Sequence, residues 1–553
     1  MRTLLPVLCV LAACGTTDDV EEEFFELEDV TQEVSDLDAA ARTIGEPQLA
    51  GAIRFLAHDL LEGRGVATRG DELARLYIQT EFETYGLEPG GVDGTWEQPV
   101  PIIGITSEVT KPFTVRSASG SITFEAPGDY TAEASRPTEV TAWGDAPIVF
   151  VGYGIHAPEQ DWDDFKDTDL TGKVALVMNN DPDWDPDLFE GNTRLYYGRW
   201  SYKFEEAARR GAIGAIVIHT TPSAGYPFQV IQAGHGREQF WLPFDDSTPR
   251  LQLRTWCSDE AAKKICALGG KDLDELRASA KRRDFRPVVL GVSGELATAN
   301  QVRELRSANV AGVLRGSDPA LRDEVVVISA HFDHLGIGRP KRGDEIYNGA
   351  LDNASGSAAM LNIARACAHL PNAPRRTLLF LAVTAEESGL LGSKYYARHP
   401  TFPRERIVGN FNIDGINIWG ATTDISMIGY GKNSLTALAE RVAARHGREL
   451  VPNPQVELGL FYRSDHFSFA RIGVPAAYFK AGRDFLENVE GKRRVKQSYT
   501  AVRYHQPNDQ FDDRWDLSGA VADTRLIFEC LVEAANADAA PSWTPGDEFE
   551  KLR

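Results

Sequence analysis

Cysteine is scarce in this chain, six in 553 residues, so neither a dense disulfide scaffold nor a thiolate metal cluster is on offer. Basic residues are outnumbered, 58 Lys and Arg against 81 Asp and Glu, and the formal net charge of −23 argues against nucleic acid or an anionic membrane surface as a partner. Past the first residues no apolar stretch reaches the roughly 18 positions a membrane-spanning helix needs. No internal repeat is visible. What remains is length and apolar content: 42% hydrophobic residues over 553 positions suffice for two or more cores, at about 100–200 residues per domain.

The amino terminus is read separately. Arg2, the apolar run Leu4 to Leu11 and the small residues before Cys14 form an h-region too short to span a bilayer. It resembles a bacterial lipoprotein signal over residues 1–14, with Cys14 lipidated after cleavage, although a simple secretory peptide cut near Ala13 has the same composition. Either reading predicts export, and the first predicts a lipid anchor in a bacterial membrane, at the periplasmic face or the cell surface. Residues 15–45 are predicted to be a self-repelling acidic tether, because more than half of Asp18 to Asp38 is acidic. Cys257 and Cys266 are close enough in sequence to pair in an oxidising compartment, whereas Cys367 falls within a predicted helix as a buried hydrophobe.

Potential metal ligands follow short apolar runs. Val325 to Ala330 is a continuous run and leads to His331; Leu378 to Thr384 leads to Glu386 and Glu387; Ile407 to Ile413 leads to Asp414. Such runs, separated by helical patterns at Ala354 to Leu370 and Leu435 to His446, predict strands buried on both faces of a mostly parallel α/β sheet flanked by helices. Ligands of such sheets bind beyond the carboxyl ends of the strands. With Asp352 and His505 added, the set holds carboxylates to offset two divalent ions and imidazoles that suit zinc over magnesium or calcium, and reads as a two-metal hydrolase. Glu386 and Glu387 are adjacent and point apart, so one can ligate while the other takes a proton. Asp333 is placed to accept the second N–H of the His331 imidazole.

Six segments carry a resemblance: His331–Gly336, Asn348–Gly356, Thr384–Gly389, Asn412–Gly415, Ser464–His466 with Gly473–Pro475, and Tyr504–Asp509. Together and in order over about residues 300–540 they resemble the M28 family of co-catalytic zinc aminopeptidases. The resemblance implies two zinc ions bridged by Asp352, with His331 and Asp414 at one and Glu387 and His505 at the other, and Glu386 as general base. It also implies a cis peptide between Asp352 and Asn353, and it places Asp465 and His466 near the site without a role. No ligand position departs from the pattern. Taken singly, His334 and Asp509 are ordinary loop or capping residues, and Phe461, Tyr462 and Arg463 are pocket candidates only by their nearness to Ser464.

The predicted organisation is discontinuous. Residues 46–125, with helical patterns at Pro47 to Leu61 and Asp71 to Tyr85, resemble the start of the peptidase domain, and Glu62 to Gly65 is a structural turn. Residues 130–295 resemble an inserted, β-rich protease-associated domain, with strands at Ile148 to Tyr153, Val174 to Met178 and Ala215 to His219 and one helix, Tyr202 to Arg210. The aromatic and acidic stretch Asp181 to Trp200 is either a loop over the cleft or decoration of the insert. Asn309 to Leu314 returns to the catalytic sheet, Ser518 to Asn536 closes the fold as a helix, and 541–553 is predicted to be a loose tail. The function expected is an exported metallo-exopeptidase that removes residues from peptides with a free amino terminus. An M28-type carboxypeptidase, or a surface lipoprotein binding module with a vestigial metal site, are the alternatives.

Overall fold

The computed structural model describes residues 35–244 and 247–553. The leader, Cys14 and the acidic stretch before residue 35 lie outside them. Among the described residues no helix is long and apolar enough to cross a membrane.

Three strands form where the unbroken apolar runs predict them. Val325–His331, Thr377–Val383 and Ile407–Asn412 are buried at every position, as a strand covered on both faces requires. They are the parallel centre of a mixed sheet ordered Glu97–Ser117, Val288–Leu314, Thr377–Val383, Val325–His331, Ile407–Asn412, Ala476–Ala481, Asp424–Ile428, Glu449–Pro452. Helices cover both faces. Glu46–Leu56 turns Leu49, Ala52, Ile53 and Leu56 inward at helical spacing. Gly356–Ala368 is buried on nearly every face, which its Gly, Ser and Ala residues permit by letting neighbours approach. Ser518–Asn536 forms over the predicted residues.

The insert is joined to this sheet by a ribbon instead of a linker. Glu97–Ser117 and Val288–Leu314 run antiparallel from Glu97 opposite Val310 to Arg116 opposite Ser293. One end lies in the peptidase sheet; at the other, Phe113 and Val115 enter a core with Trp143, Ile148 and Leu296. The domain boundary expected at 295–300 is therefore crossed by a continuous strand, whereas the one expected at 125–130 falls in the turn between Gly120–Thr123 and Tyr130–Ala134. Beyond the ribbon, Ala146–Phe150, Val174–Met178, Gly214–His219 and Leu253–Ser258 form a parallel run closed by antiparallel Tyr130–Ala134. The predicted helix is present as Trp200–Arg209 on one face of this run, and two more, Asp259–Leu268 and Leu273–Ala280, cover the other face.

Several expectations are corrected. The tether ends before residue 45: Asp36–Ala41 is a helix, and Ala40 and Ile44 are buried in the main core. The tail is docked, because Trp543 and Phe549 are buried and the Trp543 Nε1–H donates to the Gly473 carbonyl at 2.9 Å. Cys257 and Cys266 are both buried and free.

The turn Glu62 to Gly65 is structural, and its arginine is the reason. Arg64 is fully buried and donates to the carbonyls of Leu56, Phe332, Asn348 and Gly349 at 2.5–2.9 Å, tying the amino-terminal helices to two loops of the sheet. Hydrogen bonds to a charged group contribute about 1.5–3 kcal/mol each. Replacing Arg64 by Ala is predicted to lower unfolding free energy by at least about 3 kcal/mol in a denaturant titration; a loss under about 1 kcal/mol would show these carbonyls have other partners.

Candidate metal centre

Strand register sets the floor of the site. His331 lies opposite Val383 on one side. On the other, Ser329 lies opposite Asn412, two residues before Asp414. His331, Asp414 and the Glu386-Glu387 pair thus emerge together at the carboxyl edge of three adjacent strands. Asp352 arrives from an irregular turn, Ala350–Ser355, that leads into the helix Gly356–Ala368. The peptide Asp352–Asn353 is cis.

The predicted ligands converge. His331 Nε2 lies 3.4 Å from Asp352 Oδ1 and 3.8 Å from Asp414 Oδ1. His505 Nε2 lies 3.3 Å from Asp352 Oδ2 and 3.0 Å from Glu387 Oε2. Asp352 stands between the two groups with one oxygen toward each. Glu386 is 4.0 Å from His331 Nε2 and joins neither group. Two clusters have ligating atoms all within 4.8 Å of one another: His331, Asp352 and Asp414, and His334, Asp352 and Glu387.

His334 belongs to the site although its sequence context is that of an ordinary loop position. Its Nδ1 is 2.7 Å from Glu387 Oε1, on the opposite oxygen from His505. It reaches there because Gly349, at φ +57, leaves room: a Cβ at 349 would meet His334 Cγ at 2.5 Å. Nothing in the spacing of His331 and His334 gives that path.

The second layer differs from the expectation for Asp333. His331 Nδ1 faces the Asp333 backbone carbonyl at 3.3 Å, while the Asp333 carboxylate accepts the N–H groups of Glu386 and Glu387 at 3.0 and 3.3 Å. Asp333 therefore fixes the backbone of both glutamates. Asn353 joins three segments, donating to the carbonyls of His331 and Ile413 and accepting from Gly356 and Gly415. Asp509 accepts from the N–H groups of Leu351 and Asp352 at 3.2 Å and from the Tyr499 hydroxyl at 2.9 Å. Arg64 sets a buried positive charge behind Asp333, Asp509, Asp352 and Glu387.

Electrostatics separates the two glutamates. Burial pushes Glu386 well above its ordinary range, and Glu387, Asp465 and Asp414 add to the effect against His331. Burial works the same way on Glu387, but His505 and His334 overcome it and hold that carboxyl at about 2. Asp465 is buried, which pushes its carboxyl up to about 7, and its charge acts on Glu386. His466 is not brought to the ligands; it packs between Phe461 and Tyr478, with ring centroids at 4.8 and 5.0 Å, and burial pushes it down to about 3.

The donor set fits divalent cations. Nε2 of His331 and of His505 are buried and lack hydrogen-bond partners although carboxylates surround them, as nitrogens directed at a metal would be. Mixed imidazole and carboxylate donors suit zinc better than the all-oxygen shells of calcium or magnesium.

Residues 309–528 match the family model Peptidase family M28. That stretch is similar to the peptidases of family M28. The chain is 27% identical to the aminopeptidase YwaD of Bacillus subtilis over 233 residues, 41% of this chain and 45% of that protein. It is 28% identical to leupeptin-inactivating enzyme 1 of Streptomyces exfoliatus over 244 residues, 42% of this chain and 49% of that one. It thus spans about half the length of these curated relatives. The solved aminopeptidase of Aneurinibacillus sp. strain AM-1 superposes with a TM-score of 0.52 at 21% identity, covering 93% of this chain and 97% of that one, and so shares the fold. The match to the M28 model begins at Asn309, inside the returning ribbon strand, and takes in all six converging residues.

Changing Asp333 to Asn keeps the shape and weakens the hold on the two glutamate N–H groups. Zinc affinity is predicted to fall about 10–100-fold, measured by chelator competition on the full chain. Unchanged affinity would show that Asp333 does not position Glu387.

Proposed function

We propose that this protein is a di-zinc aminopeptidase, and the observation that carries the reading is the sharing of Asp352 between two ligand groups with Glu386 beside them and outside both. His331 and Asp414 with Asp352 would hold one ion; Glu387 and His505 with Asp352 the other, His334 lying against Glu387. Two such ions supply Lewis-acid polarisation of a scissile carbonyl and acidify the attacking water. Glu386 takes the proton of that water and returns it to the leaving amine; burial and its carboxylate neighbours give it the proton affinity both transfers need. Asp333 holds Glu386 in place through its backbone N–H. Attack from the amino terminus is part of the proposal. The names of the aminopeptidase relatives support the same direction of attack.

Glu386→Gln is expected to lower kcat on leucine p-nitroanilide by about 10²–10⁴-fold with two zinc ions retained per chain. Turnover near the unchanged rate would remove Glu386 from the proposed role. An N-acetylated peptide is expected to resist hydrolysis; its cleavage from the carboxyl end would favour the carboxypeptidase alternative.

Export with a lipid anchor at Cys14 is part of the proposal and rests on the leader alone. Mass spectrometry of the mature protein from a bacterial membrane fraction is expected to find an acylated amino-terminal Cys14, and a soluble mature protein starting elsewhere would contradict it.

A further inference from the structure

Lys480 is a cation at the metal centre that the proposed reaction does not use. It stands near the end of Ala476–Ala481, the strand that runs parallel beside Ile407–Asn412 with Tyr478 opposite Asn412. Two residues further along each segment, Lys480 and Asp414 come together. Residues two apart on a strand share a face, and both side chains turn to one atom: the Tyr478 hydroxyl donates to the Asp414 carbonyl at 3.2 Å and the Lys480 ammonium at 2.6 Å. The ammonium also lies over the Tyr478 ring, 4.8 Å from its centroid. This face opens on the ligands, because the Tyr478 hydroxyl feels the charges of Asp414, Asp352 and Glu386.

The charge of Lys480 is not matched. Its ammonium makes no ion pair among the described residues, and its hydrogen bond goes to a neutral carbonyl, which leaves two of its three donors free. The carboxylate that feels its charge is that of Asp414, whose own charge is spent once it ligates a cation. A second cation, Lys496, lies within reach of the same charge and is already held by the carbonyls of Ala481 and Gly482 at 2.6 and 2.7 Å. Nor is Lys480 sealed in: it is half-buried, and Gly415 leaves the space before it bare. A Cβ at 415, where φ is +79, would lie 4.0 Å from Lys480 Nζ and 3.9 Å from Cδ1 of Leu351, the residue before the shared Asp352. A partly desolvated ammonium with free donors, facing a gap beside the ligands, is suited to receive an anion.

We propose that Lys480 binds the acidic side chain of the substrate's first residue, so that the protein prefers peptides beginning with glutamate or aspartate. The proposal rests on the aminopeptidase reading and names its substrate class. The first residue is the one whose amino group and carbonyl both lie at the ligands, so its side chain reaches only the walls that adjoin them. Lys480 touches the backbone of one ligand and stands in such a wall. A carboxylate there replaces the counter-charge that Asp414 gives up and accepts from the free ammonium donors. An apolar or cationic first side chain would leave the ammonium desolvated and unpaired, which costs binding. Glutamine, equal in size and without charge, separates the effect of charge from that of shape.

The zinc-loaded full chain is assayed on the α-linked p-nitroanilides of glutamate, glutamine and lysine, which share a leaving group. kcat/KM for glutamate is expected to exceed that for glutamine by about tenfold or more. In Lys480→Met that ratio is expected to fall to under about threefold, and Lys480→Glu is expected to prefer lysine to glutamate. A lysine that only holds the Asp414 backbone would affect the glutamate and glutamine substrates alike, so a high ratio that survives in Lys480→Met would overturn the proposal, as would a ratio near one in the unaltered chain. Calorimetric titration of zinc-loaded Glu386→Gln with glutamate α-amide and glutamine α-amide gives the same comparison without turnover and with Lys480 in place. If the unaltered chain hydrolyses neither these substrates nor leucine p-nitroanilide while the titration still shows tighter binding of glutamate α-amide, the aminopeptidase reading fails and the acid-binding role of Lys480 stands. Equal binding of the two amides, or none, would overturn that role.

Discussion

Carboxylates gathered at the end of a parallel sheet repel one another, and the surroundings of the site are organised around that repulsion. Asp352, Glu386, Glu387 and Asp414 converge there with Asp333, Asp465 and Asp509 close behind. Three imidazoles face them, Arg64 stands behind as a buried cation, and backbone N–H groups are spent on the outer carboxylates Asp333 and Asp509. Two divalent cations would complete the balance. The uneven distribution of these charges gives Glu386 a high proton affinity and Glu387 a low one, the separation that the proposed roles of base and ligand call for.

The sheet positions these groups at little cost. Its central strands are buried on both faces, so their sequences are unbroken apolar runs, and side chains with chemistry appear only where the runs stop. That is why Val325–His331 and its neighbours, and the residues immediately after them, are legible in the sequence itself. Legibility ends where position depends on the path of a loop. His334 reaches Glu387 because of the left-handed turn at Gly349. Asn353 binds two segments remote in sequence, at His331 and at Ile413 to Gly415, and Asp333 holds the glutamates through its carboxylate while only its backbone carbonyl faces the His331 ring. None of these contacts has a spacing signature.

The ribbon is hidden for another reason. Glu97–Ser117 contains three prolines and many polar residues, and its burial alternates as expected for a strand exposed along one face. Its sequence therefore carries no unbroken apolar run, although it is the most extended pairing among the described residues. The tail is obscured in a similar way: Trp543 and Phe549 are isolated in a polar stretch, and their partners near Phe461 and Gly473 lie far away in sequence. The ribbon joins the insert to the sheet that carries the site, and the tail closes on Phe461 and Gly473.

The central claim is that one carboxylate serves two cations. Zinc per chain, measured by elemental analysis on the purified protein and on Asp352→Ala, tests it most directly. The account predicts two ions in the unaltered chain and the loss of both in the variant. A variant that keeps one tightly bound zinc would contradict the shared role of Asp352.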